Sequence, residues 1–188
     1  NKQTLVKENK KLQKKVDELT AENSRLTQGL TELERLQELY QLDQSYSEYD
    51  KVAANVISKD AGNWFSNFTI DKGTEDGIQK DCNVIAGSGL VGIVTEVGKN
   101  WATVRSIIDD TSNVSAMTMS TSDRCIVAGD LRLIDEGKLQ FIHLKDEDNK
   151  IQEGEKIVTS DVSDKFLKGI HIGYVSDIKE DPNNLTKT

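Results

Sequence analysis

Only two cysteines, Cys82 and Cys125, occur in 188 residues. Two thiols close one disulfide at most, which excludes a disulfide-stapled scaffold, and neither belongs to a C-x-x-C pair. Each borders an apolar stretch, Asn83-Val84-Ile85 and Ile126-Val127, so both read as small buried hydrophobes. Proline occurs once and aromatic residues make up 5%, so a core has to be built from Val, Ile and Leu. Basic charge is in deficit: 24 Lys and Arg stand against 32 Asp and Glu, a formal net charge of -8. That balance speaks against nucleic acid, whose phosphates require a basic surface, and against direct binding to anionic lipid. No apolar run approaches the roughly 18 residues that span a bilayer, and no signal peptide is visible. The chain begins at Asn1 rather than Met and reads as a fragment, with its targeting segment outside it.

Glycine is missing from one part of the chain. Gly29 is the only glycine before residue 50; the other twelve lie after it. Residues 1–42 accordingly have the composition of one long helix, and residues 52–178 that of strands and turns. The helical part carries a heptad. Leu5, Leu12, Leu19, Leu26 and Leu33 recur every seven residues, continued by Tyr40. With these at d, Asn9, Val16, Asn23 and Leu30 fall at a. A sustained period of about 3.5 residues keeps one seam toward a partner helix, and Leu at d with Val or Asn at a favours two strands. A buried Asn at a wants the same Asn opposite, which only a parallel, in-register homodimer provides for both Asn9 and Asn23. Glu8, Lys15 and Glu22 at g face Gln13, Thr20 and Thr27 at e, so interchain salt bridges are few. Beyond Leu33 the spacing changes to Leu36, Leu39 and Leu42, where the seam rotates or ends. The other reading is a single amphipathic helix packed on its own β region, which the narrow seam suits less well.

The glycine-punctuated part reads as short alternating runs. Expected strands are Val52–Ser58, Phe65–Ile70, Asn83–Ala86, Leu90–Val97, Ala102–Ile108, Val114–Met119, Cys125–Ala128, Leu139–Leu144, Lys156–Thr159 and Ile170–Ile178. Turns are marked by Asp71-Lys72-Gly73, Asp76-Gly77, Gly98-Lys99-Asn100, Asp135-Glu136-Gly137 and Asp148-Asn149-Lys150. Strands at this spacing imply small barrels or a sandwich. A faint repeat aligns residues 78–85 with 151–158 without gaps, and the glycine-flanked runs 89–97 and 169–178 with one residue of slack. Gly92 and Gly173 lie inside those runs, where glycine permits a close backbone approach or a bulge.

Patterns that resemble chemistry fail on context. Gly87-Ser88-Gly89-Leu90-Val91-Gly92 is a literal G-x-G-x-x-G with Asp109 and Asp110 about 20 residues on. The dinucleotide fingerprint has to open a helix, whereas Ile93-Val94-Thr95-Glu96-Val97 alternates as a strand. Ser88 precedes both His143 and His171, the reverse of the order in chymotrypsin-like enzymes. Ser160 and Ser163 follow His143 but lack a glycine-framed signature. His143 falls in the apolar strand Leu139–Leu144, and His171 lies between two isoleucines on an outer face. Asp146-Glu147-Asp148-Asn149 starts like a calcium loop, but Ile151 and Ile157 occupy the positions that need Gly and Glu, so a solvated hairpin turn is expected. No Cys and His set supports zinc. Asn67-Phe68-Thr69, Asn113-Val114-Ser115 and Asn184-Leu185-Thr186 match the glycosylation acceptor, a pattern common by chance. No catalytic residue, metal site or cofactor is expected.

Certain residues in combination resemble a family. They are Trp64, Ile70-Asp71-Lys72-Gly73, Asp76-Gly77-Ile78, Gly89-Leu90-Val91-Gly92-Ile93-Val94, Gly129, Gly154, Val158-Thr159-Ser160, Phe166 and Gly169-Ile170-x-Ile172-Gly173-x-Val175. In this order, behind a coiled coil, they resemble the MreC rod shape-determining family over nearly the whole chain. The resemblance implies a mainly β fold: a coiled-coil dimerisation helix at 1–44, a first small β-barrel at 45–120 and a second at 121–188, with the boundary open and strands possible to exchange. It implies structural roles for Gly73, Gly77, Gly89, Gly92, Gly169 and Gly173. It implies a non-enzymatic scaffold of peptidoglycan elongation outside the bacterial cytoplasmic membrane. The anchor would be an N-terminal span absent from this sequence, and the partners MreD, penicillin-binding proteins and the MreB system, besides a homodimer or higher assembly. Two departures stand out: Asp161-Val162-Ser163-Asp164-Lys165 replaces a glycine-rich loop, and Leu167-Lys168 replaces a proline. Rival readings are a secreted β-barrel hydrolase with a dimerising stalk, and a stalk protein of a secretion or efflux system.

Overall fold

The computed structural model describes residues 2–59, 62, 66–87, 89–146, 148–182 and 187. It divides into two compact units, Asn1–Ser47 and Glu48–Thr188. In the first, one helix, α1 (Lys2–Ser45), runs for 44 residues, on the order of 65 Å at the usual rise. Apart from Leu42, every described residue of α1 is exposed. Two local side-chain pairs mark its polar surface: Gln13 donates to Asp17 (3.1 Å), and Arg35 forks onto Glu32 (2.7 and 2.9 Å). Among the described residues no helix is long and apolar enough to cross a membrane.

Among the described residues the second unit has ten strands in two antiparallel sheets. The first sheet contains β1 (Val56–Lys59), β2 (Asn67–Ile70), β3 (Asn83–Ala86), β4 (Gly89–Val97) and β5 (Ala102–Ser106), in the order β1-β2-β5-β4-β3. The second contains β6 (Asn113–Thr118), β7 (Arg124–Ala128), β8 (Gln140–Ile142), β9 (Lys156–Thr159) and β10 (His171–Tyr174), in the order β10-β9-β6-β7-β8. The fold is therefore mainly β with an N-terminal helix, as the sequence leads one to expect. β6 pairs with β7 and β9, so the passage from the first sheet to the second lies between Ser106 and Asn113.

Alternation builds each core. Ile70, Val94, Ala102 and Val104 cluster in the first sheet, with Phe68, Ile78, Cys82, Val84 and Val97 packed against them. In the second, Val114 and Ala116 of β6 are buried opposite Val127 and Cys125 of β7. The repeat seen in the sequence is one hairpin used twice. Val84 pairs with Gly92 and Ile85 with Leu90; at the aligned positions Ile157 pairs with Gly173 and Val158 with His171. The register slips at the same step in both. The turns ahead of β3 and β9 also agree: Asp81 (φ 69) and Gly154 (φ 89) adopt the left-handed conformation at the aligned position. Asp81 N–H donates to the Val94 carbonyl and Gly154 N–H to that of Val175 (2.9 and 2.7 Å).

Several expected elements differ. Residues 52–55 and 175–178 lie outside strands; Val175 still exchanges backbone bonds with Gly154 and Glu155, in irregular geometry. The expected strand Leu139–Leu144 contracts to β8 because His143 adopts φ 58, which breaks the extended run. The turn at Asp135-Glu136-Gly137 is the end of a short 3-10 helix, Leu131–Glu136, whose N-cap Asp130 accepts from the Arg132 N–H.

Candidate functional site

The nine seam residues share one element. Leu5, Asn9, Leu12, Val16, Leu19, Asn23, Leu26, Leu30 and Leu33 all lie on α1 and all are exposed, the leucines by 51% to 65%. Beside them Thr20 and Thr27 turn their hydroxyls onto the carbonyls of Val16 and Asn23 (2.8 and 2.9 Å). The e positions thus carry no unmet hydroxyl that would resist a partner helix. Seven apolar side chains thus lie exposed along one line of the helix, and burying a leucine of this kind is worth about 1.5–3 kcal/mol.

The glycines position the β surface, each in its own way. A side chain at Gly92 would collide with the Arg105 carbonyl of β5, one at Gly73 with the backbone of Gly98 and Lys99, and one at Gly89 with the His171 carbonyl of the second sheet. Gly77 and Gly169 hold φ 86 and φ 84, which suits residues without a Cβ. Gly173 meets open space; it sits at the register slip, so its place is at a bulge. The sequence marks Gly98 only as a turn residue, whereas its bare Cα also admits the Trp101 ring, and gives no role to Gly129, which admits the carbonyls of Ile107 and Asp109. Sequence reasoning also missed Asn83. That side chain reaches from β3 to the loop before β10, donating to the Lys165 carbonyl (2.7 Å) and accepting from the Leu167 N–H (2.9 Å). With Gly89 on His171 it joins the two sheets.

An open cleft of about 620 Å³ lies on the second sheet. Leu133, Phe141, Ile172 and Tyr174 give it apolar walls, and Arg132 and Lys138 stand at its rim, Lys138 paired with Asp177 at 3.1 Å.

The chemistry-like motifs come to rest as follows. Gly87 (φ 58) opens the turn between β3 and β4, and the glycine-rich run continues as strand. Ser88, Trp64, Glu147 and the third glycosylation pattern at 184–186 lie outside the described residues. His143 is exposed beyond β8. His171 packs its ring on Tyr174, centroids 5.0 Å apart; burial and the Lys156 charge hold its imidazole below the ordinary range. Ser160 is buried. Both thiols are free; Cys82 is half-buried, and burial pushes the Cys125 thiol up to about 12, which makes it unreactive. Among the described residues no group of three or more His, Cys, Asp or Glu is placed to hold a metal. The expected solvated turn at 146–149 needs correction. Asp146 is buried and binds the Lys187 ammonium at 2.7 Å, which also meets Asn149 Oδ1 at 2.7 Å.

Comparison with known proteins bears on this arrangement. The family model described as "Rod shape-determining protein MreC, barrel core" matches residues 56–188. The cell shape-determining protein MreC of Listeria monocytogenes is 33% identical over 187 residues, 96% of this chain and 61% of that protein. The chain thus spans about three fifths of that relative's length. A solved structure of MreC from the same species superposes with a TM-score of 0.66 at 32% identity, covering 96% of this chain and 86% of that one. An MreC solved in a complex with penicillin-binding protein PBP2 from Helicobacter pylori superposes with a TM-score of 0.56 at 14% identity, over 71% of this chain and 81% of that one; that likeness is one of fold.

Proposed function

The chain belongs to the MreC family, and from that premise we propose that it is the non-enzymatic scaffold part of a cell shape-determining protein. Two copies associate through a parallel coil and carry paired β units to the machinery that elongates peptidoglycan. The observation that carries this reading is the exposed seam from Leu5 to Leu33, which precedes the family's barrel core in the chain. Its division is a coil at 1–44 followed by two small barrels, the second beginning between Ser106 and Asn113. An N-terminal span outside this sequence anchors the coil, which puts the β units on the outer face of the cytoplasmic membrane. The relative from Helicobacter pylori occurs in a complex with PBP2, and a penicillin-binding protein is the partner proposed for this chain as well; MreD and the MreB system follow from the family resemblance. Pairing the β units raises the effective concentration of each for a partner that is itself paired.

The test replaces Leu12, Leu19 and Leu26 together by Ala in the full-length protein, expressed in a rod-shaped bacterium depleted of its own MreC. Wild type should restore rods. The triple variant should sediment as a monomer, keep its β circular-dichroism signal and leave the cells round. Normal rods with the monomeric variant would reduce the coil to a spacer.

A further inference from the structure

The charge of α1 is segregated along its length. Residues 2–15 hold Lys2, Lys7, Lys10, Lys11, Lys14 and Lys15 against Glu8 alone, a local charge of +5; residues 16–45 hold Arg25 and Arg35 against seven Asp and Glu, a local charge of -5. In the heptad with Leu5 at d, Lys7 and Lys14 fall at f, Lys10 at b and Lys11 at c, on the side away from the leucine seam. All six lysines are exposed. Lys15 approaches Glu18 at 3.9 Å; among the described residues the other five meet no carboxylate.

This placement works against the helix. The pairs Lys7–Lys10, Lys7–Lys11, Lys10–Lys14, Lys11–Lys14 and Lys11–Lys15 are like charges one turn apart, and each disfavours the helix. The lysines also crowd the positive end of the macrodipole, and the first turn has no acidic residue to offset it. A helix built for stability alone would carry them at its other end.

We propose that this end of α1 is a docking surface for a bilayer containing anionic phospholipid, whose headgroup phosphates engage the lysines while the leucine seam stays in the dimer. The proposal rests on the reading of the coil as a parallel dimer whose amino-terminal end stands at the membrane. In such a dimer the b, c and f positions of both chains face outward around the same end of the rod, so the lysines of both chains meet one plane of phosphates. The acidic stretch from residue 16 onward is repelled by the same plane and holds the rest of the rod off it. Before residue 16 no apolar or aromatic residue occupies b, c or f, so contact is electrostatic adsorption without insertion. The whole-chain charge of -8 conceals this cationic end.

Co-sedimentation of the 188-residue chain with vesicles tests the proposal. The chain should bind vesicles of phosphatidylcholine mixed with phosphatidylglycerol, ignore pure phosphatidylcholine, and release at high ionic strength. Lys7→Gln, Lys10→Gln, Lys11→Gln and Lys14→Gln together should weaken apparent affinity on the order of 1,000-fold, whereas Arg25→Gln with Arg35→Gln should not weaken it. Equal binding by the four-lysine variant, or none by wild type, overturns the proposal. Retention on soluble polyphosphate without vesicle binding overturns the lipid assignment in favour of a polymeric anion. Dimerisation is read separately by sedimentation equilibrium. Lysine-dependent binding by a monomeric chain sustains the lysine site and overturns the coil; dimers that ignore the vesicles overturn the lysine site alone.

Discussion

The hairpins β3–β4 and β9–β10 have the same register, the same slip and the same left-handed turn residue ahead of them, yet they lean on different things. β4 is an interior strand, flanked by β3 and β5; β10 is the edge of its sheet. Gly92 is therefore pressed against the Arg105 carbonyl, while the aligned Gly173 faces open space. The approaches to the hairpins differ too. Ahead of β3, the missing side chain of Gly73 lets the backbone of Gly98 and Lys99 close in, and those two carbonyls accept from the Thr74 and Glu75 N–H groups (2.9 and 3.0 Å). Ahead of β9, the buried Asp146 carboxylate gathers the Lys150 and Ile151 N–H groups (2.8 and 3.3 Å) and the Lys187 ammonium (2.7 Å). One copy is held by close backbone packing and the other by charge, so the two should fail under different insults.

The largest difference should come from Lys187→Met. The side chains of Asp146 and Lys187 are 1% and 13% exposed, and removing one member of a buried pair costs on the order of 3–5 kcal/mol. Acid should act through the same site. Burial alone would raise the Asp146 pKa, but the hydrogen bonds from Lys187, Lys150 and Ile151, with the Lys187 charge, outweigh it and hold the carboxyl below its ordinary value. A depressed folded value gives stability that is full above the unfolded pKa, about 4, and is lost as pH falls through the folded one. Thermal melts of wild type from neutral pH down to about pH 3 should show that loss, and Lys187→Met should flatten it. A variant as stable as wild type would show that the second hairpin does not depend on charge.

Next in size is Gly92→Val, which overpacks the first sheet and should cost about 1–3 kcal/mol. Gly173→Val at the matching position should stay within about 0.5 kcal/mol, because a side chain there points into open space. Equal shifts in melting temperature would mean that strand position, edge or interior, does not decide what these glycines are for.

How far all this was legible follows from how far each signal reaches along the chain. The leucine period and the alternation of Val, Ile and Gly are local and repeated, and α1 and the ten strands appear where those patterns lie. The repeat between 78–85 and 151–158 was visible for the same reason. What was illegible depends on a single residue or on distant partners. Nothing around His143 announces the φ of 58 that ends β8. The 3-10 helix Leu131–Glu136 is too short to show a period. The run at Asp146 looked solvated because its partner, Lys187, is 41 residues away, and Asn83 looked like an ordinary strand residue because its partners are more than 80 residues on. The cationic end of α1 was hidden by summing charge over the whole chain.

The smallest effect tests the turn that the two hairpins share. Asp81 and Gly154 hold φ 69 and φ 89 at the aligned position. Asp tolerates the left-handed region better than most residues but still pays some strain there, which glycine does not. Asp81→Gly relieves that strain and adds freedom to the unfolded chain, and the two terms, each below about 1 kcal/mol, oppose one another. Its net effect should be within about 0.5 kcal/mol of zero. The reciprocal Gly154→Asp must hold a side chain at φ 89, beyond the left-handed range in which Asp81 sits, so the added strain outweighs the stiffer unfolded chain and should cost about 0.5–1 kcal/mol. Chemical denaturation of both variants separates the outcomes. If Asp81→Gly destabilised by more than Gly154→Asp, the Asp81 side chain would be holding something that its backbone conformation does not explain, and the equivalence of the two turns would end at their dihedral angles.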